Sequence, residues 1–166
     1  MTARPALARR VLAEFLGTGL LVTVVVGSGI AAQHLSTDVG LRLLENSTAT
    51  VFGLGVLILL LGPVSGAHFN PVVSATDAIL GRRTGTGLPA RTLAAYIAAQ
   101  LAGGIGGAVL ANLMFQVPTA ISTTQRATAG TLLGEVVATA GLVLLITGLT
   151  RAGQTLPLPL NSATRC

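Results

Sequence analysis

Lysine and tryptophan are both missing from this chain of 166 residues, and its single cysteine is Cys166, the last residue. Without a second thiol there is no intrachain disulfide, thiolate metal cluster or cysteine redox pair. Aromatic residues make up 3% of the chain, which leaves no material for an aromatic belt or a base-stacking platform. Charged residues make up 9%, where an ordinary soluble domain carries roughly a quarter. So few charges do not clothe a water-facing surface, and a soluble enzyme or nucleic-acid binder is excluded. The formal charge of +5 comes wholly from arginines, which sit between apolar runs as membrane flanks do.

What the chain has instead is hydrocarbon. Hydrophobic residues are 51% and the mean hydropathy is +0.79. Four stretches are long enough to cross a bilayer, which takes roughly 20 apolar residues. They lie at about 11–32, 46–64, 92–115 and 131–150; Glu14 is the only charge in the first and Glu135 the only one in the fourth. A signal peptide imitates the first stretch but not the other three. The expectation is an all-α, polytopic membrane bundle. If the spans alternate, Arg4, Arg9, Arg10, Arg82, Arg83, Arg91 and Arg151 share one side, and only Arg42 and Arg126 face the other. The positive-inside bias then puts the N-terminus in the cytoplasm of a multi-pass protein of the cell (inner or plasma) membrane. Loops at about 34–45 and 116–129 fall outside. Glycines spaced by four, Gly103 with Gly107 and Gly62 with Gly66, allow close helix packing in lipid, where no hydrophobic drive joins helices.

The stretch from Ser65 to Ser74 carries the chemistry. Its downstream piece, 71–80, is apolar but spans only ~15 Å, half of the ~30 Å hydrocarbon core. A half-length helix must lie at the interface or dip in and return. Asn70 suits a helix cap and Pro71 the first helical position, while Gly62, Pro63 and Gly66 let the chain leave the preceding helix. Irregular backbone at membrane depth is tolerated only when buried in protein or lining a wet cavity. An Asn70 amide at the mouth of such a half-helix donates to a solute oxygen, and the positive helix end disfavours cations.

At these residues the chain resembles the major intrinsic protein family, the aquaporins and aquaglyceroporins. Ser65, Gly66, His68, Asn70 and Pro71 match the family's first pore loop, with Val72 where alanine is usual. Glu14-Phe15-Leu16-Gly17-Thr18, Tyr96-Ile97-Ala98-Ala99-Gln100-Leu101-Ala102-Gly103 and Glu135-Val136-Val137-Ala138-Thr139 resemble its first-, third- and fourth-helix motifs. The resemblance implies an aquaporin-like domain over 1–151: a first inverted repeat at about 11–115, then the first helix of a second repeat at about 130–150. It implies passive passage of water or small uncharged solutes, no catalytic residue, no metal or other cofactor and no nucleic acid, in a lipid bilayer and as a homo-oligomer (the family tetramer). Asn70, Pro71, Val72 and His68 would form the constriction, and Glu14, Glu135, Gly66 and Ser65 would support the pore loops. Thr50 would stand at a filter position, where a missing aromatic ring suggests glycerol-like or arsenous-acid-like solutes. An internal repeat, Glu14-x-x-x-Thr18 recurring as Glu135-x-x-x-Thr139 at a shift of 121, supports the same plan.

The chain departs from the family after Arg151. Residues 152–166, with Pro157-Leu158-Pro159, read as an extended or disordered tail rather than a fifth span. The fold expected is therefore an incomplete aquaporin-like one, four spans plus one re-entrant half-helix, truncated and with impaired conduction. The alternatives are an inactive channel remnant or structural membrane subunit, and an intramembrane enzyme using His68 with Glu14 or Asp77, for which no nucleophile–base pair is visible.

Overall fold

A computed structural model describes residues 5–82, 85–121, 123 and 127–151. Five helices follow in order: α1 (Leu7–Leu35), α2 (Val39–Ser65), α3 (Pro71–Leu80), α4 (Ala90–Met114) and α5 (Ala129–Arg151). Four of them are long and apolar enough to cross a membrane, and α3 is not. The expected all-α membrane bundle with one half-length helix is thus the fold observed. Arg4, Arg83, Arg126, Cys166 and the expected tail at 152–166 lie outside the described residues.

Two compact units divide the chain, residues 1–120 and 121–166. In the first, α1 packs against α4 and α2, and α3 packs against α4. Small residues set the α1–α4 approach. A Cβ on Gly103 would run into the Phe15 carbonyl oxygen, and one on Gly107 into that of Gly19. Backbones this close exclude any larger residue, and the Thr23 hydroxyl uses the approach to reach the Gly107 carbonyl at 3.1 Å. The second unit is described chiefly through α5.

Two expectations need correction. The outer loop expected over 34–45 is mostly helix: α1 runs through Leu35 and α2 starts at Val39, leaving Ser36-Thr37-Asp38 as the connection. Polar side chains there satisfy helix ends instead of forming a loop. Asp38 caps α2 by accepting from Leu41 N at 2.7 Å, and Arg42 donates to the Ser36 carbonyl at 2.6 Å. The Gly62/Gly66 spacing does not make a packing face. Gly66 ends α2 in the left-handed region at φ 98°, the conformation that a helix-terminating glycine provides.

Candidate functional site

The site grows from the turn between α2 and α3. After Gly66, Ala67 and Phe69 also take positive φ, at 51° and 48°. For residues with a Cβ this costs roughly 1–2 kcal/mol each, so something must hold the turn. Glu14 of α1 does so. Its Oε1 accepts from His68 N at 3.0 Å and its Oε2 from Phe69 N at 2.8 Å. Hydrogen bonds to a charged group contribute about 1.5–3 kcal/mol apiece, enough to offset the backbone strain. Glu14 is wholly buried, and Gln100 of α4 adds a third donor at 2.8 Å from Oε2. The Phe69 ring fills the space that a Cβ on Gly17 would need.

The turn is anchored on its other side by Tyr96 of α4, the one tyrosine in the chain. Its hydroxyl donates to the Ser65 carbonyl at 2.8 Å and accepts from Arg10 Nε at 3.0 Å. The Arg10 guanidinium carbon also lies 5.3 Å from the centre of the Tyr96 ring. Ser65 closes the turn locally, its hydroxyl accepting from Ala67 N at 3.1 Å.

From this frame α3 starts as its sequence dictates. Asn70 caps it, Oδ1 accepting from Val72 N at 2.8 Å, with Pro71 in the first turn. The carbonyl end of the Asn70 amide is thereby engaged, and its NH2 has no hydrogen-bond partner among the described residues. Asn70 and Pro71 are half-buried and Val72 is exposed. His68 is half-buried, its Nδ1 3.0 Å from the Ser74 hydroxyl and its ring edge-on to Tyr96 at 5.6 Å. Asp77, near the far end of α3, accepts from Leu88 N at 3.0 Å and so ties the following connection to the helix.

The structure thus brings Glu14, Ser65, Gly66, His68, Asn70, Pro71 and Val72 together. It does not bring Thr50 to them. Thr50 is half-buried in α2 and donates to the Asn46 carbonyl one turn back at 2.8 Å. Glu135 lies on α5, which belongs to the other unit. His34 is exposed in the last turn of α1 rather than in a loop. Arg10, Ser74, Tyr96 and Gln100 are not among the site residues expected from the sequence. A signal was present in α4, where Thr92, Tyr96 and Gln100 recur every four residues in an apolar span, and all three are buried. Polar groups aligned on one face of a membrane helix point toward protein.

Comparison with known proteins matches residues 1–160 to the family described as Major intrinsic protein. Aquaglyceroporin AqpS of Rhizobium meliloti (strain 1021) is 50% identical over 141 residues, which cover 84% of this chain and 58% of that protein. Aquaporin-2 of Rattus norvegicus is 39% identical over 105 residues, 63% of this chain and 35% of its own length. The propanediol uptake facilitator PduF of Citrobacter freundii is 33% identical over 106 residues, 63% of this chain and 36% of its own length. The chain therefore spans little more than half the length of the Rhizobium relative and about a third of the other two.

Proposed function

The chain belongs to the major intrinsic protein family, and from that premise we propose that it lines a passive transmembrane path for water or small neutral solutes of the glycerol type. One observation carries the reading: Asn70 caps a half-length helix with its carbonyl turned inward on Val72 N, so its NH2 is what a passing molecule meets. That group donates to a hydroxyl or water oxygen. The positive end of α3 stands behind it and repels cations, so uncharged oxygen-bearing solutes are favoured over ions. Two relatives named for glycerol and propanediol handling support the solute class.

Pro71, Val72 and His68 complete the constriction in this reading, with Glu14, Ser65 and Gly66 as its support and Glu135 in the matching place of a second repeat. Because α3 covers only ~15 Å, a full path needs a lining element beyond the described residues. A homo-oligomer in the cell membrane with the N-terminus cytoplasmic accompanies the proposal, and Thr50 would widen the filter for lack of a ring. The reading is of a channel rather than an enzyme.

Stopped-flow light scattering on vesicles reconstituted with the full chain tests it. Shrinkage under a sucrose gradient or re-swelling under a glycerol gradient is expected to be faster than in empty vesicles, and slower again with Asn70→Leu. Rates equal to those of empty vesicles would sink the proposal.

A further inference from the structure

The hydrogen bonds around His68 can be followed donor by donor, and they run in one direction. Both Glu14 oxygens accept, from His68 N, Phe69 N and Gln100. The Gln100 amide lies 2.8 Å from Glu14 Oε2 and 3.0 Å from the Ser74 hydroxyl, both through Nε2. Turning that amide over would set its oxygen against the carboxylate, acceptor on acceptor. The orientation shown instead leaves Gln100 Oε1 buried with no partner among the described residues, a penalty smaller than facing two oxygens. Both hydrogens of Nε2 are then in use, and the Ser74 oxygen has received one of them.

Ser74 is fully buried, and among the described residues the only further partner of its hydroxyl is His68 Nδ1 at 3.0 Å. Its hydrogen has one place to go. His68 Nδ1 is therefore an acceptor, and the neutral ring carries its proton on Nε2.

We propose that Glu14, Gln100 and Ser74 act as a one-way relay that fixes His68 as the Nε2–H tautomer, with that N–H on the side of the ring next to Gly66 at the end of α2. Gln100 and Ser74 are positioning residues, acting through His68. The tautomer assignment stands on geometry alone. Any contact of that N–H with a passing solute rests on the channel reading above.

Nitrogen-15 solid-state NMR of the full chain in lipid vesicles, labelled at histidine, reads the tautomer directly. A His34→Asn background leaves His68 as the only histidine signal. The expected result is an unprotonated Nδ1 and a protonated Nε2. With Ser74→Ala the ratio of tautomers should shift by roughly fivefold toward Nδ1–H, the effect of losing one ordinary hydrogen bond. Ser74→Thr, which keeps the hydroxyl, should restore the parent spectrum. A proton on Nδ1 in the parent chain would overturn the assignment, and an unchanged ratio in Ser74→Ala would overturn the relay. Neither readout uses transport, so vesicles that fail to conduct would end the channel reading while leaving the tautomer assignment standing.

Discussion

Glu14→Gln keeps the length of the side chain and replaces an oxygen that accepts from Phe69 N and Gln100 with a nitrogen that donates, or turns that nitrogen on His68 N. Either way a buried donor faces a donor. The loss is expected to be about 3 kcal/mol, read as a lower midpoint of thermal unfolding by circular dichroism in detergent. Tyr96→Phe removes only a hydroxyl, but that hydroxyl joins Arg10 to the Ser65 carbonyl; about 1–2 kcal/mol should be lost in the same assay. Ala67→Gly should move the other way. At φ 51° the alanine is strained, and glycine relieves roughly 1 kcal/mol while Ala67 N keeps its bond to the Ser65 hydroxyl. A destabilised Ala67→Gly would mean that the turn is not under the strain its dihedrals imply.

Between elements, the α1–α4 crossing makes a sharp contrast between neighbouring positions. A side chain at Gly107 meets the Gly19 carbonyl, whereas one at Gly106 meets open space. Gly107→Val should therefore separate the helices and leave little protein that survives heating in detergent, while Gly106→Val should behave like the parent. Equal behaviour would show that the crossing is looser than described. This close packing was legible in the sequence, because glycines four apart at 103 and 107 present a smooth strip to a partner helix. The same spacing at 62 and 66 misled. Glycine serves both packing and left-handed helix ends, and only the following Ala67–Asn70 turn decides which. Span ends were also misjudged where polar side chains lie on helix: Arg42 and Glu45 look like loop residues, yet both belong to the first turns of α2. The half-helix and its cap could be read from Asn70-Pro71 because the chemistry is local. The relay through Ser74 and Gln100 could not, since it joins residues 26 positions apart that only the packing of α3 on α4 brings together.

For the whole molecule, four membrane-length helices make an integral, multi-pass protein. The proposed orientation puts Thr37, exposed in the Ser36–Asp38 connection, on the outer side. In a Cys166→Ser background, a cysteine at Thr37 should react with an impermeant maleimide added to intact cells. Reaction only after the cells are opened would invert the topology. That connection has one more effect. Asp38 and Arg42 quiet the helix ends they flank, and Asn46 pins α2 back onto the Val25 carbonyl at 2.8 Å. These contacts at the tip all lie within the hairpin's own two arms. A nascent chain that has left the ribosome as far as Ser65 thus has the connecting tip in place, while Glu14 further down α1 still waits for His68, Phe69 and Gln100 to follow.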